Sequence, residues 1–285
     1  AAGKARQVTH AAGWIQVDQK EERAVLDIKQ HWDRCPLCTA EPGSTRPGRP
    51  TTTLAAMYES PNVEARGDGE QARRLLGLFG PRSLRRVIPL DLLHLFYSNG
   101  GIATRIVAQL FGLGRPSERA STAVGPVLTL GQRAVVSARI LAATGSTVER
   151  LFKLSCEGRR ILAFVLPWAL GGIVKSEQRR HAEQILAMHR ILCAEEAIER
   201  ELFDMPALQR HAQRFVTLGV ELYGERFAAF SKVHRILHLY ECPAAVGAAS
   251  QPATYVRQFK DAFGVVGTLR HFGNFPTERL HKDVK

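Results

Sequence analysis

Cysteine is scarce and odd in number: five in 285 residues, at positions 35, 38, 156, 193 and 242. An odd, dispersed set excludes a secreted disulfide framework. Cys156 and Cys193, among Leu, Ile and Ala at helical spacing, are expected in the core. Lysine is also sparse, 9 against 30 arginines, and aromatic residues make up only 7%. Long hydrophobic runs are missing. The longest, Ile161 to Val174, covers 14 residues and contains Pro167. It is too short to span a bilayer, so it is expected as a buried core helix, with no membrane insertion. Lys4 and Arg6 lead into no apolar segment, so no signal peptide is expected. There is no internal repeat and no sustained heptad.

What is present is the balance of a globular protein, 45% hydrophobic and 23% charged. That excludes a disordered tail or a collagen, and the length allows one large domain or two modest ones. The formal charge is +12. An arginine excess suits bidentate phosphate contacts and a polyanionic partner, while a generally basic surface or a GC-rich genome accounts for the same count.

Periodicity outlines the chain. Trp14 to Val17 reads as a strand ending at Asp18, followed by a helical pattern over Glu21 to Gln30 with Ala24, Val25 and Ile28 on one face. Residues 39–70, rich in Pro, Gly and Thr, read as loop. From Pro89 to Tyr240 nearly everything reads as helix. The segments are Leu90–Leu113 interrupted at Gly100-Gly101, Leu130–Ala143, Ser146–Cys156, Arg160–Val174, Glu177–Phe203, and Ala207–Tyr240 broken near Gly219 or Gly224. Pro206 suits a first helical turn. After a Pro, Gly, Ala and Ser stretch from Pro243 to Pro252, a last helix is expected to start at Glu278.

Three constellations can carry chemistry. Cys35-Pro-Leu-Cys38 offers two thiolates to one tetrahedral metal, which needs two further ligands. His234 and His238, four apart on a helical segment, are the best candidates; His181 and His189, eight apart, make a poorer pair. Asp91 and His94, three apart, form a helix pair of structural character in which the carboxylate fixes the imidazole tautomer. Finally, a helix opening at Glu278 would align that carboxylate with His281, Lys282 and Lys285, a metal-binding group beside phosphate-binding cations.

The order of these pieces resembles a known pattern. Gly77-Leu-Phe-Gly-Pro-Arg-Ser-Leu84 followed by Ile88-Pro-Leu-Asp91-Leu-Leu-His94 is similar to the G-x-x-G-P-S-x-L … P-x-D-x-M-H segment of eukaryotic cut-and-paste transposases of the CACTA and Kyakuja-Dileera-Zisupton type. Leu222-Tyr-Gly-Glu-Arg-Phe227 with Val233-His234-Arg-Ile-Leu-His238-Leu resembles their L-Y-G … V-H-x-L-x-H-L helix. Gly267-Thr-Leu with Phe272-Gly-Asn-Phe-Pro-Thr-Glu278-Arg resembles their G-P-L … F-x-F-E ending. The resemblance covers most of 18–285 and is thin between about 110 and 205.

The resemblance implies an RNase H-like sheet carrying Asp, Asp and Glu around two divalent metals, interrupted by a helical insertion. Asp18 would be the second Asp and Glu278 the third carboxylate, while Cys35, Cys38, His234 and His238 would bind a structural zinc. The family's first Asp has no counterpart in the 17 residues before Asp18. Gln19-Lys20 replaces the family's Pro-Ala, and Tyr97-Ser-Asn-Gly-Gly its Leu-Gly-Val. The chain therefore looks like the carboxyl-terminal two thirds of such a catalytic region.

The expected fold is mainly α, a large helical insertion on a partial RNase H-like α/β core. Its divisions are the core with the CxxC turn (1–45), a basic loop arm (46–88), the helical insertion (89–245), and a linker with the closing helix (246–285). The expected function is transposase-derived, zinc-stapled binding of nucleic acid, DNA ahead of RNA, without strand cleavage by this chain alone, and a nuclear location by resemblance. Phosphate contacts are assigned to Arg46, Arg49, Arg82, Arg85, Arg86, Lys282 and Lys285, and Mg²⁺ would bind only weakly. The alternative is a basic helical scaffold in a larger protein assembly, such as an organellar ribosome or a respiratory complex, with a mitochondrial location; either reading allows an oligomer.

Overall fold

The computed structural model describes residues 19–29, 34–77, 84, 88, 90–114, 128–154, 156–193 and 205–241. Within them the chain is mainly helical. The only β pairing among the described residues is two isolated bridges, Ile28 with Ala65 and Cys38 with Pro50. The expected strand at Trp14–Val17 and closing helix at Glu278 lie outside the described residues.

Among the described residues the amino-terminal part includes three short helices, α1 (Gln19–Val25), α2 (Leu54–Tyr58) and α3 (Glu70–Gly77). Helix α1 is shorter than its apolar pattern suggests. Asp27 takes a left-handed conformation (φ 52), which turns the chain so that Ile28 bridges to Ala65. The expected loop over 39–70 holds α2, whose Thr53 cap accepts from the Ala56 N–H at 3.1 Å; the Thr-rich composition that reads as loop supplies the cap. Leu26, Ile28, Met57, Leu84 and Ile88 form a small separate core here.

The remaining α-helices among the described residues are α4 (Leu92–Phe96), α5 (Ile102–Phe111), α6 (Leu130–Thr144), α7 (Val148–Leu154), α8 (Cys156–Ala169), α9 (Ser176–Cys193), α10 (Met205–Tyr223) and α11 (Ser231–Arg235). A 3₁₀ turn at Glu225–Phe227 precedes α11, and another at Ile236–Glu241 follows it. Helix α8 is the hub and packs against α4 through α7 and α9, while α9 and α10 form the most extensive pair. Helix α5 is buried on every side, so its residues are apolar nearly all round. A capping box between Thr129 and Gln132 starts α6, and Gly145 (φ 66) ends it.

Two sequence expectations are corrected. The run Ile161–Val174 is not a wholly buried helix: α8 ends at Ala169, and Ile161, Phe164 and Trp168 face outward, Trp168 with 58% of its surface exposed. Its buried stripe is Leu162, Ala163, Leu166 and Ala169, so only half of the apolar run serves the core. Cys156 is half-buried at the start of α8 rather than enclosed.

Of the two glycines considered for the break after α10, Gly224 makes it, with φ 85. Gly219 lies inside the helix for a different reason. A Cβ there would come within 2.0 Å of the Phe227 ring, so glycine lets the turn after α10 fold back against the helix.

Candidate metal centre

Cys35 and Cys38 lie on a tight turn that pairs with the strand-like segment around Thr51. The Thr39 N–H donates to Arg49 O at 3.1 Å and the Thr51 N–H to Leu37 O at 2.9 Å. The Thr51 hydroxyl donates to Pro36 O at 2.7 Å. Asn62, buried, clamps the turn from below, its amide donating to Cys38 O at 2.8 Å and Ala40 O at 2.7 Å. The Ala40 N–H points at Cys38 Sγ, 3.4 Å away. These bonds fix both sulfurs on one side of the turn.

His234 and His238 arrive from the far end of the chain. The four side chains are buried, and their ligand atoms lie within 4.8 Å of one another. Cys35 Sγ is 3.5 Å from His238 Nε2, and Cys38 Sγ is 3.4 Å from His234 Nε2. Tetrahedral zinc with ordinary bond lengths sets sulfur and nitrogen ligands about 3.6 Å apart. The arrangement can therefore hold one metal ion and is compatible with a structural zinc. The spacing expected on a continuous helix holds in sequence but not in backbone: α11 stops at Arg235 and His238 sits on the 3₁₀ turn.

Burial raises the Cys35 thiol well above its usual range, whereas the hydrogen bond from that thiol holds Cys38 low. A divalent cation bound between them would take both sulfurs as thiolates. His234 offers Nε2 to the cluster, and its Nδ1 lies 3.0 Å from Ser44 O. With Nε2 on a metal, Nδ1–H donates to that carbonyl, which fixes tautomer and ring plane.

A buried ion pair joins the same two ends. Arg235 on α11 meets Glu22 on α1, with the two side chains 4% and 3% exposed. The Arg235 charge also acts on Cys35, lowering its affinity for the proton. Nothing in the local sequence marks Glu22 or Asn62, because their partners lie far away along the chain.

The other sequence candidates resolve differently. His181 is wholly buried, stacked on Phe215 at 4.4 Å and set among Tyr223 and Phe227. Neither of its ring nitrogens has a hydrogen-bond partner among the described residues. Burial lowers its pKa to about 3. His189 Nδ1 is hydrogen-bonded to the Tyr97 hydroxyl at 2.6 Å, and burial, helped by the Arg160 charge, lowers its pKa to about 4. This pair belongs to the helical core and is not a chelate.

Asp91 caps α4, accepting the Leu93 N–H at 3.0 Å, and its other oxygen pairs with His94 Nδ1. Beside it, Lys232 donates to Ser98 Oγ at 2.5 Å and Asn99 O at 2.9 Å. Burial, with Arg105 and Arg235 adding to it, brings that amine down to about 8. Sequence reading passed over this contact between α11 and the turn after α4.

Arg46 and Arg49 are exposed on the loop after the cysteine turn. Asp18, Arg82, Arg85, Arg86, Glu278, Lys282 and Lys285 lie outside the described residues. No helix among the described residues is long and apolar enough to cross a membrane. Compared with protein-family models, curated proteins and solved structures, the chain matches none.

Proposed function

We propose that this chain is a zinc-stapled nucleic-acid-binding protein of transposase descent, catalytically incomplete by itself. The observation that carries the reading is the buried cluster of Cys35, Cys38, His234 and His238, whose members are drawn from opposite ends of the described chain. A closed Cys₂His₂ set has no open coordination position, so its role is folding rather than chemistry. The same four residues are the set implied by the transposase resemblance. In that reading residues 1–45 supply part of an RNase H-like core and 89–245 the helical insertion. Asp18 and Glu278 would then hold one divalent ion weakly, and the protein would act on nuclear DNA. Two-metal phosphoryl transfer requires a further bridging carboxylate.

The net charge of +12 and the exposed Arg46 and Arg49 support a polyanionic partner. The test is strand cleavage with Mg²⁺ or Mn²⁺ run beside a DNA-binding titration. Salt-sensitive binding without cleavage supports the reading; cleavage lost in Glu278→Gln shows that this chain holds a complete catalytic site.

One observation favours the second reading, a scaffold subunit. Leu130, Val135 and Leu141 on α6 and Ile161, Phe164 and Trp168 on α8 are large apolar side chains left exposed. Native mass of the protein purified from its source separates the two: a stable large assembly without nucleic acid favours scaffold.

A further inference from the structure

The cysteine turn leads into a loop that is closed at its base by Thr39 and Arg49. The Thr39 N–H donates to Arg49 O, and the Arg49 N–H donates to Thr39 Oγ1 at 3.2 Å. The tip of this loop, residues 43–46, reaches the helical core. Gly43 turns the chain with φ 85, and a Cβ there would lie 3.8 Å from Glu225 O, in ordinary contact with the 3₁₀ turn after α10. Other bonds of the tip are local. The Ser44 N–H donates to Glu41 O at 3.1 Å, the Ser44 hydroxyl to Arg46 O at 2.8 Å, and the Arg46 N–H to Ser44 Oγ at 3.2 Å.

Among the described residues, two hydrogen bonds tie the tip to the rest of the molecule, and they fall on consecutive carbonyls. Ser44 O faces His234 Nδ1 at 3.0 Å, and Thr45 O accepts from the Gln213 amide at 2.6 Å. A carbonyl only accepts, so Nδ1 of His234 carries the proton in its bond to Ser44. That leaves Nε2, 3.4 Å from Cys38 Sγ, as the lone-pair nitrogen for a metal. The Ser44 carbonyl keeps its direction only while the tip stays in place, and the local bonds move with the tip. Gln213 is the side chain that fixes the tip to the helical core. It is half-buried on the flank of α10, beside the buried stripe of Leu208, Ala212, Phe215 and Val216. Its amide also lies 3.3 Å from Thr217 Oγ1, one turn along the helix, which holds the side chain in one direction.

We infer that Gln213 is a positioning residue for the metal centre: through Thr45 and Ser44 it sets the tautomer and ring plane of His234, and so the metal affinity, without touching a ligand. The inference rests on the metal reading of the Cys₂His₂ cluster and adds the contact that couples α10 to it. A group that holds a ligating histidine by its second ring nitrogen is worth about 10- to 100-fold in metal affinity. Gln213 acts one step further out, so its removal belongs at the lower end of that range.

The test is the zinc affinity of the full chain, by competition with a chromophoric chelator, together with visible absorption of the Co²⁺-loaded protein. Gln213→Leu removes the donor and keeps the bulk, whereas Gln213→Lys restores an N–H donor of similar reach. Gln209→Leu, the same change one turn earlier at an exposed position of α10, is the control. Gln213→Leu, with unchanged circular dichroism, is expected to bind zinc about tenfold more weakly and to alter the cobalt d–d bands. Gln213→Lys and the control are expected to stay within about twofold of wild type, with wild-type bands. Wild-type affinity in Gln213→Leu overturns the inference and leaves the metal centre standing. Losses in Gln213→Lys or Gln209→Leu equal to that in Gln213→Leu do the same, because the bond to Thr45 is then not the cause. Weaker binding with unchanged cobalt bands, or lost helical signal in Gln213→Leu, shows a role in stability alone and also overturns it. No zinc or cobalt bound by the wild type overturns the inference together with the metal reading.

Discussion

The molecule has two cores built on different principles. Around α8 a continuous set of buried apolar side chains runs from Leu90 to Leu239, drawn from α4 through α11 and reaching Cys35, Leu37 and Cys38. Around Ile28 and Met57 five buried apolar residues gather among the described ones, with a few half-buried neighbours. A fully buried Leu, Ile, Phe or Met stabilises by roughly 1.5–3 kcal/mol, set against about 1–2 kcal/mol of backbone entropy for each residue ordered. The helical core meets that demand by burial. The described amino-terminal residues, with their short helices and isolated bridges, are also held by polar contacts: the Glu22–Arg235 pair, the Asn62 clamp, and the Cys₂His₂ cluster, which could hold a metal ion. Burial is spread over many residues and tolerates damage, whereas a polar tie depends on each partner.

Metal removal should therefore have the largest effect. Structural zinc in small domains contributes on the order of 10 kcal/mol. Chelation, or Cys38→Ser, is expected to abolish amide protection across 34–62 while α9 and α10 keep theirs, read by hydrogen exchange. Simultaneous loss of protection in both regions would mean that the two cores are a single cooperative unit.

Next comes the buried ion pair. Glu22→Gln leaves the Arg235 guanidinium buried without its counter-charge and is expected to cost about 3–5 kcal/mol. Glu22→Leu/Arg235→Met, which removes both charges, should recover most of it in urea unfolding. A double variant as unstable as Glu22→Gln would show that the charges themselves hold α1 to α11.

The helical core should show its own weakness in acid. His181 and His189 ionise near 3 and 4 in the native protein, against about 6.5 when unfolded. Between these limits the unfolded chain binds more protons, so stability falls as pH drops below about 6.5. The slope reaches about 1.4 kcal/mol per pH unit for each histidine. His181→Leu should flatten the dependence between pH 7 and 5 relative to wild type, measured by thermal melts of the metal-loaded protein. An unchanged pH dependence would show that His181 is solvated in the native state. The smallest effect belongs to Thr129→Ala, which removes the α6 capping box and should cost about 1 kcal/mol by urea unfolding.

Local signals were legible in the sequence, and distant ones only where residue type narrowed the choice. The segment Leu130–Ala143 and Pro206 placed α6 and the start of α10, because periodicity and proline chemistry act over a few residues. Cys35, Cys38, His234 and His238 could be joined across 203 residues because few residue types bind soft metals. Glu22, Asn62 and Gln213 carry no such mark, and only the folded chain brings them to Arg235, Cys38 and Thr45. The outward face of α8 was misread for a related reason. A run apolar on both sides does not say which side the core will use.

The most direct test of the metal staple is elemental analysis joined to X-ray absorption on protein purified without added metal. The account predicts one zinc per chain, bound by two sulfurs at about 2.3 Å and two imidazole nitrogens at about 2.0 Å, with the sulfur signal lost in Cys35→Ser/Cys38→Ser. A folded protein with no bound metal, or with zinc held by oxygen ligands alone, would contradict it.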